Sequence, residues 1–245
     1  MKMTLLSRIR RRLRSRPRRV SPVEAYDSWA QSYDTQSDNV VFALESPLFT
    51  DLLGRVAVEG KAVLDIGCGT GRHWPEILSR KPAELCGIDP SRAMLDQLKR
   101  RYPDARTVCA EGDRLPQLAD ASFDLIISTL ALAHIPDAGR AISEWSRILR
   151  RGGALLVTDF HPNAIGAGMK RTFVSRGRTM EIEHYATDLD RLREIASKCG
   201  LASVIAAERA IDQTVEPLFQ RAGFLTGYEQ HKGRPLVFGL HFMKH

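Results

Sequence analysis

Three carboxylates stand at the ends of three successive short apolar runs, and the first leads into a turn crowded with glycine. The stretches are Val63-Leu-Asp-Ile-Gly-Cys-Gly-Thr-Gly-Arg72, Cys86-Gly-Ile-Asp-Pro90 and Glu111-Gly-Asp113. Glycine is required where backbone turns tightly and comes close to a ligand, so Gly67, Gly69 and Gly71 mark such a turn. Asp65, ahead of them, would repel a phosphate and suits a ligand bearing an ammonium group. A dinucleotide site needs G-x-G-x-x-G, with its third glycine at position 72. That residue is Arg72 and the glycine comes one place early, which disfavours a dinucleotide. Asp89 can accept hydrogen bonds from both hydroxyls of a ribose, and an acid at 111–113 can accept from an adenine amino group. In this order the three describe an elongated, cation-tolerant crevice, although each by itself fits a helix cap or a turn equally well.

Such residues meet only if a sheet brings the strand ends to one edge. Runs rich in Val, Ile and Leu occupy 62–66, 84–88, 106–110, 123–128 and 154–158, with helix-period segments at about 72–80, 91–101 and 138–149 between them. This alternation predicts a doubly wound α/β sheet. Residues 22–56 predict two short helices, with Pro22 and Pro47 as boundary marks. The pattern breaks after Phe160. Thr172-Phe-Val174 and Met180-Glu-Ile182 flank a Ser-Arg-Gly-Arg centre, which predicts a hairpin. A helix at about 188–199, a strand at 201–207, a short helix at 215–222 and a final strand at 235–242 follow. Ligands of open α/β sheets bind at the strand ends, so residues 161–186 are expected to overhang the crevice as a lid.

The 245 residues, 43% hydrophobic and 27% charged, suit one soluble α/β domain of ordinary composition. No window approaches the 18 or so apolar residues of a membrane span. Cys68, Cys86, Cys109 and Cys199 form no C-x-x-C pair, which argues against a zinc knuckle or a disulfide framework and for a reducing compartment. The formal charge of +7 is uneven: residues 1–20 hold nine of the 36 basic residues and none of the 29 acids, leaving the other 225 residues at −2. Within that leader Leu5, Leu6, Ile9 and Leu13 share one stripe about 100° wide at helical pitch. A membrane-surface helix, a nucleic-acid arm, a targeting presequence and a merely solvated leader all fit it. A secretory signal does not, since no apolar stretch follows the basic one.

Further pieces extend the series: Tyr26-Asp-Ser-Trp-Ala-Gln-Ser-Tyr-Asp34 ahead of the glycine turn, and Ser122-Phe-Asp-Leu-Ile-Ile-Ser128 and Leu149-Arg-Arg-Gly-Gly153 after it. Together with Leu64–Gly71, Gly87-Ile-Asp-Pro-Ser91 and Glu111-Gly-Asp113, they run over residues 24–160. In that order the chain resembles the class I S-adenosylmethionine-dependent methyltransferases of the small-molecule, type 11 kind. The resemblance implies a Rossmann-like, seven-stranded sheet with an antiparallel last strand, N-terminal helices, and S-adenosylmethionine as cofactor. It implies that Gly67, Gly69 and Gly71, with Cys68 in the same turn, pass beneath the cofactor, and that Asp65 faces its methionine amino end. Asp89, followed by Pro90, would hold the ribose and Asp113 the adenine. Thr129 and Leu130 would line the methionine side, and Tyr26 and Tyr33 would close the pocket.

Methyl transfer from a sulfonium is an in-line displacement, and an acceptor that must lose a proton needs a base nearby. The candidates past the strand ends are His134, Asp159, His161, His184 and Tyr185, of which His161 and His134 are the choice. His161 also fits as a cap of the turn before Pro162, and His134 as a packed loop residue. The position after the fourth strand reads Ser128-Thr-Leu-Ala131, without the Asn/Asp-Pro-Pro-aromatic motif of amino methylases of nucleic-acid bases or the Pro-Cys of cytosine-C5 methylases. The expectation is a basic leader at 1–21 and a methyltransferase domain at 22–245, binding no metal. It would be cytoplasmic, with peripheral membrane contact through residues 1–20 as an option. It would act on a small, apolar acceptor, with a quinone-like or lipid acceptor compatible with such contact. The alternatives are a tRNA methyltransferase recruited by the leader, and a non-catalytic S-adenosylmethionine-binding module.

Overall fold

The computed structural model describes residues 17–35, 39–175 and 178–245. The chain begins with strand β1 (Arg18–Val20), helix α1 (Pro22–Trp29), a 3-10 turn over Ala30–Thr35 and helix α2 (Val40–Leu53). Ser21 caps α1 by accepting the Glu24 N–H at 3.2 Å, and Pro22 takes the first helical position, where no donor is lost. Asn39 caps α2, its Oδ1 accepting from the Val41 and Phe42 N–H groups. Pro47 does not bound this helix; it lies inside it. Leu44, Leu48, Phe49, Leu52 and Leu53 are all buried from α2, and that packed stripe outweighs the backbone hydrogen bond a proline removes.

Then the expected alternation runs through β2 (Ala62–Ile66), α3 (Trp74–Ser79), β3 (Glu84–Ile88), α4 (Arg92–Arg101) and β4 (Arg106–Val108). It continues with β5 (Phe123–Thr129), a 3-10 turn at Leu132–His134, α5 (Ala138–Ile148) and β6 (Leu149–Phe160). The remainder is α6 (Pro162–Gly166), β7 (Thr172–Ser175), β8 (Arg178–Ile182), α7 (Leu189–Lys198), β9 (Leu201–Ala210), α8 (Glu216–Arg221), α9 (Leu225–His231) and β10 (Pro235–Lys244). Helix α9 was not expected from the sequence.

Seven strands form one sheet in the order β4-β3-β2-β5-β6-β10-β9. The first five are parallel, and β10 runs antiparallel to both β6 and β9. The order reverses between β2 and β5, the point where open α/β sheets leave a crevice. Alternate residues feed opposite faces: Leu64, Ile66 and Ile126 pack with Trp145 and Ile142 of α5, while Val63, Leu125 and Ile127 pack with Trp74, Ile77 and Leu98. Burial on both faces explains why these strands read as unbroken apolar runs.

A second sheet, ordered β1-β8-β7, contains the expected hairpin. Strand β1 joins it in parallel, with Arg18 opposite Met180 and Val20 opposite Ile182. Arg18–Val20 is therefore a strand of the lid sheet, although the sequence places it in the basic leader. Val20 supplies the reason, being buried with Ala25, Trp29, Phe173 and Ile182; one apolar residue is too little to show in a pattern. The stripe at Leu5, Leu6, Ile9 and Leu13 lies outside the described residues. Among the described residues no helix is long and apolar enough to cross a membrane.

Candidate active site

At the end of β2 the backbone enters a left-handed turn, with φ of 74° at Gly67, 53° at Gly69 and 79° at Gly71. The Gly67 and Cys68 N–H groups both donate to the Ile88 carbonyl, at 2.7 and 3.0 Å, tying the turn to the end of β3. A Cβ on Gly67 would lie 2.3 Å from the Ala131 Cβ, so Gly67→Ala adds a steric overlap to left-handed strain. The expected cost is about 2–4 kcal/mol of stability, read from the urea midpoint. Gly60→Ala is the control. Gly60 has a φ of 70° but a Cβ there meets nothing within 4 Å, so only the strain remains, about 1–2 kcal/mol.

The turn forms one wall of a cavity of about 360 Å³. Of the residues expected at the site, Tyr26, Tyr33, Gly67, Gly69, Asp89, Pro90, Asp113, Thr129, Leu130 and His134 line it. Asp89 joins β3 to the glycine turn: its Oδ2 accepts the Gly69 N–H at 2.9 Å and its Oδ1 the Ser91 N–H at 2.8 Å. Burial pushes its carboxyl up to about 6, against those two hydrogen bonds. Asp113 Oδ2 accepts from Arg140 Nε at 3.0 Å and also from its Nη2.

Asp65, Cys68, Gly71, Asp159, His161 and His184 lie outside the cavity lining. Asp65 sits behind the turn, 3% exposed, with Oδ2 accepting the Trp74 indole N–H at 2.9 Å and Oδ1 unpartnered. Burial raises its carboxyl to about 7, the Trp74 hydrogen bond opposing. Cys68 is buried with its sulfur against Gly87, and Gly71 packs on Trp74 and Leu98. His161 is the helix cap that the sequence allowed: its Nδ1 accepts the Asn163 N–H at 3.0 Å. Its Nε2 lies 3.3 Å from Glu208 Oε1 without the alignment of a hydrogen bond. His184 turns its Nδ1 to the Ile182 carbonyl at 3.1 Å.

The structure adds residues that the sequence did not single out for the site. Ser21, Pro22 and Val23 line the cavity from the start of α1, and Ile135, Pro136, Arg140 and Glu183 complete its rim with Tyr185. None carries a motif; each arrives through a tertiary contact. The N-terminal helices are fastened over the cavity by polar ties. Asp27 Oδ1 accepts the Ser91 hydroxyl at 2.6 Å, and Asp34 accepts from Thr70 at 2.7 Å and from Arg101 at 2.6 Å. Trp29 stacks between Tyr26 and Phe173, joining helix to hairpin.

At the inner end, the His134 Nδ1 faces the Glu183 carbonyl at 2.9 Å, so the proton of the neutral ring sits there and Nε2 is the acceptor. Arg171 Nη1 donates to that Nε2 at 2.8 Å, and the Tyr26 hydroxyl lies 3.0 Å from it. Burial, then the charge of Arg171, holds the imidazole well below its ordinary pKa. His134 is thus a neutral ring whose one lone pair is already taken, which is a poor start for a base. Asp159 is buried as well, with Oδ2 accepting the Ala133 N–H at 2.7 Å and Oδ1 the Phe160 N–H at 2.6 Å.

Comparison with known proteins agrees with this architecture. Residues 64–157 match the family model described as a methyltransferase domain. An uncharacterized methyltransferase of Emericella nidulans is 30% identical over 223 residues, which are 76% of this chain and 77% of that protein. The chain belongs to the class I S-adenosylmethionine-dependent methyltransferases. The demethylmenaquinone methyltransferase of Beutenbergia cavernae is 33% identical to this methyltransferase over 138 residues, 55% of the chain and 56% of that protein. In fold, the methyltransferase is similar to an S-adenosylmethionine-dependent methyltransferase from Mesorhizobium loti. The TM-score is 0.65 at 20% identity, over 82% of this chain and 98% of the other. The cofactor of this methyltransferase is S-adenosylmethionine. Its residues suit that molecule: a buried carboxylate oxygen without a partner at Asp65, and a Gly69 whose missing side chain leaves open space.

Proposed function

We propose that this enzyme transfers the methyl group to a small, apolar organic acceptor that enters beneath the lid sheet. The observation that carries this reading is the composition of the cavity rim. Away from the glycine turn, Pro22, Val23, Ile135, Pro136 and Tyr185 contribute apolar surface to it beside the polar Ser21, Arg140 and Glu183. When bound, the cofactor supplies an activated methyl group. The chain's part is to orient the two reactants and exclude solvent. In this reading Asp89 holds the ribose hydroxyls, Asp113 with Arg140 borders the adenine, and Thr129, Leu130, Tyr26 and Tyr33 close around the methionine end. The Gly67–Gly71 turn passes beneath, and Asp65 answers the ammonium group.

The demethylmenaquinone methyltransferase among the relatives supports an apolar ring acceptor. Strand β1, whose exposed Arg18 and Arg19 pair with Glu24 and Glu183, runs straight into the cavity-lining Ser21–Val23. The described end of the basic leader, residues 17–21, therefore lies at the cavity's edge, where an anionic membrane could deliver a lipid-soluble acceptor. Labelled S-adenosylmethionine incubated with a cell extract, followed by solvent partition and nuclease treatment, tests the reading. Label in the organic phase is expected. Label in nuclease-sensitive material would replace it with a tRNA acceptor.

Asp65 makes the cofactor reading testable by pH. A carboxyl held at about 7 is largely protonated at about pH 6 and must ionise to meet an ammonium group. S-adenosylhomocysteine affinity should therefore fall as pH drops from about 8 to about 6, with proton release on binding at the lower pH. Calorimetry in two buffers of different ionisation enthalpy reads both. Without ligand the sign is opposite: the folded protein binds the extra proton, so the group costs stability as pH rises from the ordinary carboxylate range to about 7. An Asp65→Asn variant with unchanged pH dependence would remove Asp65 from the amino end.

A further inference from the structure

Arg171 lies in the loop before β7, belongs to no motif, and is buried at 8% exposure. Its guanidinium donates to three groups of the cavity wall: Nη1 to the Leu130 carbonyl at 3.0 Å and to His134 Nε2 at 2.8 Å, and Nη2 to the Tyr26 hydroxyl oxygen at 3.1 Å. Asp159 Oδ1, 4.0 Å away, is the opposing charge. Leu130 has a left-handed φ of 54°, a strained conformation for leucine. Its N–H is fixed by the Thr158 carbonyl at 2.7 Å and its carbonyl by Arg171. One side chain from the lid thus braces three residues of the wall.

Lone-pair bookkeeping decides what this brace does. His134 Nε2 offers one lone pair, and two donors reach it, Arg171 Nη1 and the Tyr26 hydroxyl. The guanidinium keeps its protons and is fixed as a planar fork by its other acceptors. The Tyr26 hydroxyl proton can switch between its two in-plane orientations without moving the ring, so it is the member that can leave. Its oxygen accepts from Arg171 Nη2, which polarises the O–H bond and strengthens it as a donor. Burial, with Arg171 opposing, keeps the phenol protonated well above its ordinary pKa.

We propose that Arg171 is a positioning residue: by occupying His134 Nε2 and one lone pair of Tyr26 from the lid side, it presents the Tyr26 hydroxyl proton to an anionic ligand oxygen in the cavity. The proposal rests on the cavity being the methyl-transfer site. The oxyanion has two sources, the carboxylate of the cofactor's methionine part or an oxygen of the acceptor.

The full chain, Tyr26→Phe, Arg171→Met, Arg171→Lys and the Tyr26→Phe/Arg171→Met double variant would be titrated with S-adenosylhomocysteine and with 5′-methylthioadenosine, which lacks the carboxylate. Label transfer into extract is the second readout. Losing a hydrogen bond to a charged oxygen should weaken the affected step about tenfold or more in each single variant. The double variant should be no worse than the poorer single, because the arginine acts through the tyrosine. If the cofactor is the source, S-adenosylhomocysteine binding falls and methylthioadenosine binding does not. If the acceptor is the source, both titrations hold and label transfer falls. Either pattern supports the proposal.

Arg171→Lys keeps the charge without the fork and should share the loss, which guards against a Met variant that fails to fold. In the wild-type chain, imidazole nitrogen shifts should show the proton of His134 on Nδ1. A proton on Nε2, additive losses in the double variant, or a Tyr26→Phe variant unchanged in both readouts would overturn the proposal alone. A wild-type chain that bound neither nucleoside would overturn the reading of the cavity itself, and the proposal with it.

Discussion

Glu45→Ala is expected to lower the unfolding free energy by about 3–5 kcal/mol, the cost of removing one partner from a buried ionic cluster. Glu45 lies in the middle of α2 with no exposed surface. Its Oε2 accepts from Arg72 Nη2 at 2.6 Å and from His73 Nε2 at 3.1 Å, and its Oε1 accepts the Thr158 hydroxyl at 2.5 Å. Burial, the largest influence, pushes its carboxyl up, yet Arg72, His73 and Thr158 together bring it down to about 2. His73 is itself depressed by burial, with Glu45 opposing. The ring is therefore a neutral donor, and Arg72, also stacked over Phe42, is the counterion.

Removing the carboxylate leaves a guanidinium, an imidazole N–H and a hydroxyl beneath α2 without their acceptor. Urea unfolding by tryptophan fluorescence measures the loss; a change below about 1 kcal/mol would show that α2 is held by its leucines alone. The pH dependence follows from a depressed folded value. The Glu45 contribution is complete above the ordinary glutamate range and is lost as pH falls from there through about 2. The alanine variant should lack that part of the acid transition.

Asp89→Ala is expected to weaken S-adenosylhomocysteine binding by about 1.5–3 kcal/mol, about 10- to 150-fold, the range of charge-assisted hydrogen bonds. Two effects combine. In the proposed pose the carboxylate accepts from the ribose, and in the structure it already holds the Gly69 and Ser91 N–H groups, so its loss also loosens the glycine turn. Asp89→Asn keeps one acceptor oxygen and should lose less. Methylthioadenosine, which retains the ribose and the adenine, should lose affinity in parallel. Calorimetry of both ligands decides the matter: unchanged affinity in Asp89→Ala would mean that the end of β3 does not touch the nucleoside.

These effects differ in how far the sequence announced them. Asp89 and the glycine turn were legible because their signal is local. A β-strand buried on both faces must be apolar along its length, and a backbone at φ near 70° favours glycine. Both leave marks within a few residues. Period and spacing therefore gave the parallel sheet, its strand ends, and the order of Asp65, Asp89 and Asp113 along them. They also gave the hairpin, since two short apolar runs about a glycine are a local pattern. Glu45 left no such mark. A lone acid in an apolar helix reads as a solvated position until Arg72, His73 and Thr158 are seen to surround it.

Proline gave the wrong boundary at Pro47, because the missing N–H is a local cost and the buried stripe of α2 is a tertiary gain. Strand β1 was invisible for a related reason: its partner β8 lies some 160 residues on, and three residues carry no period. The chemistry of the histidines was decided furthest from the sequence. His161 became a helix cap because Asn163 stands within reach of its ring. His134 became a neutral, saturated acceptor because Arg171, 37 residues away, and Tyr26, 108 residues away, meet at its Nε2. The sequence by itself determined which residues form the strands of the seven-stranded sheet and where the backbone turns left-handed at glycine, since burial and backbone geometry are periodic and local. Only the tertiary structure decided which lone pairs and protons remain available, since that depends on which distant side chains share the same few ångströms.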